Sequence, residues 1–217
     1  MRISITIHRT ITFPIDYTGW TVHLPPMTPP PPSHEPDART RILDAAEAIV
    51  RRAGVTSLTL DAAAREAGVS KGGLLYHLAS KEALVNAMLG RLTALMGEDF
   101  TNLVAAQPDG PGRIARAVMA WGFDLDAAEL AERCDRAAAV FLAAFHHDPA
   151  LLDPVRGFIA DIRAALAQDG LPPGIGAAIM AASDGLFMAR IFGLYRPTGQ
   201  EVRDMRNALA TLLEPTP

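Results

Sequence analysis

The feature that most restricts the fold is the spacing of apolar residues from Asp37 onward. They recur every three or four positions between glycine- and proline-rich breaks. This spacing places apolar side chains on one face of an α-helix, whereas a strand would need them at every second position. Ile42, Ala46 and Ile49 mark the first such face, and Gly54 follows where a helix C-terminus is expected. The sequence therefore predicts an all-α chain of about nine helices.

The composition agrees with a helical core. Of the 217 residues, 49% are hydrophobic but only 6% are aromatic, so alanine and leucine must provide much of the packing. Alanine has the best intrinsic helix propensity. The single cysteine, Cys134, excludes an internal disulfide framework. It suits a reducing compartment, so we expect a cytoplasmic protein.

Residues 1–36 differ from the rest of the chain. Apolar and polar residues first alternate as in a short strand, and residues 24–36 then read LPPMTPPPPSHEP, which suits neither a helix nor a central strand. We predict a disordered, proline-rich arm. It would either touch DNA or be dispensable, and Met27 offers an alternative start. No continuous apolar run resembles a secretory signal or a membrane span, so we expect no membrane partner.

Serine and threonine caps divide residues 59–95 into three further helices. Thr59 can cap a short second helix, Ser70 a third from about Lys71 to His77, and Ser80 a long fourth. The second and third helices are joined across Gly68-Val69-Ser70, a sharp turn that glycine permits. Two short helices joined in this way form a helix-turn-helix, whose second helix fits the major groove of DNA.

The chain contains only two lysines, Lys71 and Lys81, and each begins one of these helices. A positive side chain there is slightly unfavourable against the helix dipole unless an anion such as a phosphate binds beside it. Gly72 and Gly73 lower the stability of the third helix but allow close approach of its backbone. These features favour DNA binding. The alternative is a helix-turn-helix used only for packing, with ordinary serine caps and exposed lysines.

The stretch RILDAAEAIVRRAGVTSLTLDAAAREAGVSKGGLLYHLASKEAL, residues 41–84, resembles the N-terminal DNA-binding domain of the tetracycline-repressor (TetR/AcrR) family of transcriptional regulators. The resemblance covers residues 38–92. It implies a homeodomain-like helix-turn-helix domain over 37–83, followed by a helical ligand-binding and dimerisation domain over 84–217. The implied function is a homodimeric repressor that a small apolar ligand releases from a palindromic DNA operator.

The resemblance also implies which residues contact DNA, by matching the motif position by position. The implied contacts are Thr59, Ser70, Lys71, Gly72, Gly73, Tyr76, His77 and Lys81. Two positions depart from the family pattern. Leu75 stands where an aromatic phosphate-binding residue is common, and Leu78 stands where phenylalanine is frequent. The first departure removes one phosphate contact, and the second exchanges one core residue for another.

The second half of the chain offers candidates for a ligand pocket and a dimer face. Five aromatic residues either line an apolar pocket or belong to the core: Trp121, Phe123, Phe141, Phe145 and Phe158. Asp124 and Asp126 would meet a cationic ligand or lie on the surface. The segment 175–192 is apolar on almost all sides, and with 201–213 it resembles the family's dimer face. Its polar exceptions, Asp184 and Arg190, would pair across the interface, satisfy the local backbone, or contact a ligand.

Enzymatic readings find little support. His146, His147 and Cys134 do not form a metal-ligand motif, and we expect neither a metal nor a cofactor. No phosphate-cradling GxxxxGK[ST] and no GxSxG is present. Two alternatives stay open beside the repressor: an activator or regulator without a small-molecule inducer, and an all-helical protein-interaction module.

Overall fold

The computed structural model describes residues 36–124 and 127–214, which are helical throughout apart from turns and loops. The predicted arm up to Glu35, together with Leu125 and Asp126, lies outside these ranges. Within them the all-α prediction is confirmed, with nine α-helices and no strand. The helices are α1 Ala38–Ala53, α2 Leu60–Glu66, α3 Lys71–His77, α4 Lys81–Ala105, α5 Arg113–Phe123, α6 Ala127–His147, α7 Asp153–Ala167, α8 Ile175–Ile191 and α9 Gly199–Ala210. Short 3₁₀ turns cover Val55–Ser57, Pro149–Leu152 and Thr211–Leu213.

The first hydrophobic core joins α1–α4 to α6. Ile42, Leu74 and Leu84 are fully buried in it, and Val140 of α6 packs into the same cluster. Burying one such side chain contributes roughly 1.5–3 kcal/mol. The three-helix segment therefore rests directly on the second half of the chain, because α6 provides part of the core of the first half.

The second hydrophobic core lies between α5, α7 and α8, with Phe100 from the end of α4. Helices α5 and α8 approach closely at Gly122, where an added Cβ would lie 3.1 Å from the Cβ of Ser183. Such a contact is tighter than side chains normally tolerate, so a glycine is needed here. The predicted domain boundary after residue 83 falls inside α4, and this helix contributes to both cores.

The N-terminus of α5 is capped from a distant part of the chain. The carboxylate of Asp169, which follows α7, accepts hydrogen bonds from the backbone N–H groups of Ile114 (2.9 Å) and Ala115 (2.8 Å). Asp169 is buried. A buried carboxylate at a helix N-terminus satisfies otherwise unpaired N–H groups and complements the helix dipole. None of the helices in the described ranges combines the length and apolarity needed to cross a membrane.

Candidate nucleic-acid interface and ligand cavity

The turn between α2 and α3 has the geometry expected of a helix-turn-helix. Gly68 adopts a left-handed conformation with φ of 66°. The N–H of Val69 then donates to the carbonyl of Ala64 at 3.0 Å, which closes the end of α2. A residue with a Cβ would be strained at this φ by roughly 1–2 kcal/mol. The glycine therefore sets the angle at which α3 leaves α2.

Side-chain hydroxyl groups cap the N-termini of α2, α3 and α4. Thr59 accepts from the N–H of Ala62 at 3.1 Å, Ser70 from Gly73 at 3.0 Å, and Ser80 from Ala83 at 3.0 Å. A hydroxyl has one donor and two acceptor positions. Since each cap uses only the acceptor side, each O–H is still able to donate to a phosphate oxygen. The capping residues are therefore also candidate phosphate contacts.

Helix α3 has one buried and one exposed side. Leu74 is fully buried and Leu78 is 5% exposed, so the leucine at position 78 does pack in the core. On the opposite side Tyr76 is 86% exposed, with its ring edge-on to His77 at a centroid distance of 5.1 Å. A large aromatic side chain exposed to this degree has no packing role in the protein. The exposed side of α3 is thus available to enter a groove.

The two glycines of α3 differ in the space that is available for a side chain. A Cβ at Gly73 would lie 3.2 Å from the hydroxyl oxygen of Ser70, so a side chain there would crowd the helix cap. A Cβ at Gly72 would meet nothing closer than the same oxygen at 4.0 Å. Stability alone would favour alanine at Gly72, by up to about 1 kcal/mol. Packing within the described residues therefore does not require a glycine at position 72.

The predicted lysines differ in their surroundings. Lys71 is exposed and its Nζ lies 3.0 Å from a carboxylate oxygen of Asp61 on α2, a pairing that sequence reasoning missed. Both side chains are largely in solvent, so the pair contributes little to stability. Lys81 is half-buried at the start of α4. A phosphate would therefore compete with Asp61 for Lys71.

A cavity of about 340 Å³ lies between α4, α5, α6, α7 and α8. It is lined by Leu92, Met96, Trp121, Gly122, Arg133, Cys134, Ala137, Phe141, Val155, Ile159, Met180, Ser183, Asp184, Leu186, Phe187, Met188 and Arg190. Its size and mainly apolar lining are typical of sites for small organic ligands. Trp121 and Phe141, two of the five predicted pocket residues, belong to this lining.

The other three predicted pocket residues lie elsewhere. Phe123 is 6% exposed and belongs to the core, outside the cavity lining. Phe158 packs edge-on against Trp121 at 5.8 Å and so supports the cavity wall from behind. Phe145 is 62% exposed and lines an open apolar groove of about 500 Å³ formed by α6, α7 and the end of α8. Phe141 separates the cavity from this groove, since it lines both.

Three charged residues line the cavity: Arg133, Asp184 and Arg190. The sequence analysis did not single out Arg133, and it gave ligand contact as one of three alternatives for Asp184 and Arg190. The guanidinium of Arg133 lies 4.8 Å from the ring centroid of Trp121. Burial lowers the pKa of Arg133 and that of Arg190, and burial raises the pKa of Asp184 against the opposing charge of Arg163. Of the three alternatives for Asp184 and Arg190, this placement matches contact with a ligand.

The two aspartates proposed to meet a cationic ligand do not line the cavity. Asp124 forms an ion pair with Arg206 of α9, which corresponds to the alternative of a surface role. Asp126 lies outside the described residues. No cluster of three or more histidine, cysteine or acidic residues suited to a metal ion occurs in the part of the chain that the structure describes.

Two family models match the chain at these same segments. The model of bacterial regulatory proteins of the tetR family matches residues 42–88, and the model of the tetracyclin repressor-like C-terminal domain matches residues 112–214. The chain belongs to the TetR family. The resemblance and the fold class predicted from the sequence are thereby confirmed, and the family consists of helix-turn-helix transcriptional regulators.

Individual TetR-type relatives match parts of the chain. The HTH-type transcriptional regulator BetI of Klebsiella pneumoniae (strain 342) is 26% identical over 117 residues, which are 54% of this chain and 60% of that protein. The regulator SrpR of Pseudomonas putida is 37% identical over 65 residues, 30% of each chain. The chain thus spans 60% or less of the length of these curated relatives.

Solved structures of similar proteins match over most of the described chain. The multidrug binding protein EbrR, in its complex with malachite green, is 27% identical with a TM-score of 0.60 and covers 82% of this chain and 99% of its own. A TetR family member from Streptomyces coelicolor A3, SCO1917, is 27% identical with a TM-score of 0.57 and the same coverage.

A buried carboxylate links the two parts of this TetR-family chain. Glu47 of α1, which is 6% exposed, pairs with Arg91 of α4 at 2.5 Å and with Arg136 of α6 at 3.4 Å. Arg91 also pairs with Asp44 at 2.6 Å. Burial opposes the charge of Arg91, but hydrogen bonds to Glu47 and Asp44 outweigh it and raise the pKa of Arg91. Charge-assisted pairs of this kind fix the position of α1 relative to α4 and α6.

Proposed function

We propose that this chain is a homodimeric repressor that binds a palindromic operator through α3 and leaves it when a small ligand enters the cavity. One observation carries this proposal. The residues that hold α1 are the sequence neighbours of residues that line the cavity: Arg91 precedes Leu92 on α4, and Arg136 precedes Ala137 on α6. A ligand that displaces either helix therefore also moves the groups that position the DNA-binding segment.

DNA binding is supported by the exposed side of α3 and its surroundings. Tyr76 and Lys71 project from the helix that fits the major groove, and Gly72 leaves room for close approach. The hydroxyls of Thr59 and Ser70 can donate to phosphates on either side. The proposed contacts also include Gly73, His77 and Lys81, as the resemblance implies.

Dimerisation is supported by an apolar surface on α8 and just beyond it. Ala181, Gly185 and Met188 are exposed at helical spacing on one face, and Phe192 follows at 59% exposure. Leu194 is 72% exposed. Exposed apolar groups that continue along one helix are typical of a protein–protein interface. Two copies joined here would present two recognition helices, as a palindrome with half-sites about 34 Å apart requires.

Ligand binding is supported by the cavity and by one relative. EbrR is a multidrug binding protein with solved complexes containing imidazole, malachite green and ethidium. At 27% identity this makes an organic ligand for the present cavity a reasonable proposal. A volume of about 340 Å³ suits a compact organic molecule.

The DNA-binding half of the proposal is tested first by mapping the sites that the protein binds across the genome, including the promoter of its own gene. A recovered site is then titrated with the protein in gel shifts. We expect Tyr76→Ala and Lys71→Ala to weaken binding with folding intact, by roughly 1–3 kcal/mol for a base contact. Gly72→Ala should weaken DNA binding while stabilising α3. Gln168→Ala, an exposed change after α7, is the matched control. Unchanged affinity in all three α3 variants would refute the interface.

The second half of the proposal, that ligand binding lowers operator affinity, is tested with a substitution at Glu47. A ligand is first found by thermal-shift screening, and its effect on operator affinity is then measured with and without Glu47→Gln. We expect the variant to bind both ligand and DNA but to lose much of a coupling that is typically 1–3 kcal/mol. Glu66→Gln breaks an exposed ion pair with Arg52 within the DNA-binding segment and should leave the coupling unchanged. Full coupling in Glu47→Gln would exclude this route between the cavity and α1.

A further inference from the structure

The charges of the cavity wall are unbalanced. Two guanidinium groups, Arg133 and Arg190, line the cavity with a single carboxylate, Asp184, while nearly all the remaining lining is apolar. No carboxylate among the described side chains lies within 4.0 Å of either arginine. Asp99 acts on Arg133 from a longer distance and raises its pKa, but burial outweighs this effect. A half-buried guanidinium whose charge is disfavoured by burial is stabilised by an anion placed beside it.

The two arginines act on the same part of the wall. Both lower the pKa of the thiol of Cys134, although burial raises that pKa overall. Arg133 lies on α6 and Arg190 lies on α8, so the two side chains reach the cavity from different helices. An anionic group in the cavity would therefore meet guanidinium groups from two helices, and its apolar body would extend toward Trp121 and Phe141.

The same wall disfavours a cation. The face of Trp121 is already covered by the guanidinium of Arg133, so this ring is not free to bind a ligand cation. Asp184 is the one acidic group of the lining against two guanidinium groups, and burial raises its pKa, which disfavours its charged form. Malachite green and ethidium, with which EbrR forms complexes, are organic cations, whereas the present lining carries two guanidinium groups and one carboxylate.

We infer that the cavity binds a compact apolar anion, a hydrophobic body carrying one carboxylate, with the carboxylate held between Arg133 and Arg190. This inference rests on the proposed function in that the cavity is the ligand site. It adds the charge of the ligand and the two residues that recognise it. Arginine suits this task because its guanidinium offers several donors in the geometry of a carboxylate.

The test compares three probes that share one apolar body: 2-naphthoate, 2-naphthamide and 2-naphthylmethylammonium. Each is titrated into the full-length protein without DNA by isothermal calorimetry at neutral pH. Charge-assisted hydrogen bonds are stronger than neutral ones, so we expect 2-naphthoate to bind about tenfold or more tightly than 2-naphthamide. The ammonium probe should bind most weakly.

Variants identify the recognising groups. Arg133→Gln and Arg190→Gln should each lower the acid-to-amide affinity ratio, and the double variant should bring it close to one. Arg133→Lys and Arg190→Lys keep the charge and should keep part of the ratio, which separates loss of charge from loss of folding. The matched control is Arg156→Gln, because Arg156 lines the outer groove and not the cavity. It should leave the ratio unchanged.

Several results would overturn the inference: equal affinity for acid and amide, tighter binding of the ammonium probe, no binding of any probe, or a ratio that survives the double variant. A ratio lost in Arg156→Gln alone would move the anion to the outer groove and equally overturn it. The proposed function fails separately. If 2-naphthoate binds as expected but does not lower operator affinity in gel shifts, the ligand class stands and the release mechanism does not.

Discussion

The DNA-binding segment and the cavity half of this molecule are held together over very different distances along the chain. The caps of α2, α3 and α4 each join residues three positions apart. In the cavity half, Asp169 reaches N–H groups 54 and 55 positions away, and Ser183 reaches the carbonyl of Val118 across 65. The caps of α2, α3 and α4 are therefore specified by local sequence, whereas the start of α5 and its contact with α8 depend on how distant segments meet.

This difference has a functional meaning. A surface that reads DNA must present the same helix in the same way, which local caps and a left-handed glycine achieve. A cavity that accepts a ligand must be able to change its walls. Helices that pack through side chains can shift against one another by small amounts, whereas a capped turn keeps one conformation. The buried pairs of Glu47 are among the described contacts in which these two kinds of structure meet, together with the core that α6 shares with α1–α4.

Asp169→Ala tests the long-range side of the comparison most strongly. Removing the carboxylate leaves the buried N–H group of Ala115 and the part-buried N–H group of Ile114 without partners, and a buried unsatisfied group costs about 1–3 kcal/mol. We expect a loss of about 3 kcal/mol in the free energy of unfolding. Urea denaturation at a fixed protein concentration measures this. Asp161→Ala removes an exposed carboxylate from α7 and should change stability by less than about 0.5 kcal/mol. Equal effects of the two variants would contradict the distant cap.

Gly122→Ala should be the next most damaging change. Its Cβ would lie 3.1 Å from the Cβ of Ser183 and 3.5 Å from that residue's Cα, so α5 and α8 would have to separate. Overpacking of this kind typically costs 1–3 kcal/mol, and we expect about 2. Gly157→Ala is the control, since Gly157 is exposed on α7 with nothing within 4 Å of an added Cβ. That variant should be stabilised, by up to about 1 kcal/mol. Stabilisation of both variants would show that the helices do not meet at Gly122.

The outcome of sequence reasoning follows the same division. Caps at Thr59, Ser70 and Ser80 were predictable because capping depends on residues three positions apart. The helix boundaries of the DNA-binding segment followed from them. The cap from Asp169 was not predictable, because no local signal connects it with α5. For the caps of α2, α3, α4 and α5, distance along the chain decided what could be predicted.

The sequence pattern alone does not predict which residues line the cavity. Trp121 and Phe123 are two positions apart and both aromatic, but only the first lines the cavity, while the second is in the core. Helical spacing fixes the angle between two such side chains, not which of them faces an empty space. In the sequence, nothing around Arg133 distinguishes it from an arginine on the protein surface. Only the meeting of α5, α6 and α8 turns it toward the cavity wall.

Gly68→Ala tests the turn between α2 and α3, and we expect a smaller effect on stability than from the two changes above. Alanine at φ of 66° is strained by roughly 1–2 kcal/mol, and we expect a loss of about 1 kcal/mol in the free energy of unfolding. Operator affinity should fall as well, because the angle between α2 and α3 depends on this residue. Gly97→Ala, a helical glycine of α4 with nothing within 4 Å of an added Cβ, is the control. A Gly68 variant that is more stable than the parent would refute the strained turn.

The smallest expected effect concerns the charge in the cavity wall. Burial raises the pKa of Asp184, so ionisation of this group opposes folding. Below its ordinary pKa of 3.8 the carboxyl is protonated in both the folded and the unfolded chain, and the penalty is absent there. The penalty develops as the pH rises through 3.8 and then through the raised folded value. Asp184→Asn should therefore match the parent in acid and be the more stable of the two at neutral pH. Urea denaturation of both proteins across this pH range measures the difference. A variant that is less stable at neutral pH would mean that the carboxylate of Asp184 has a stabilising partner, and that the cavity wall is held more firmly than its apolar contacts indicate.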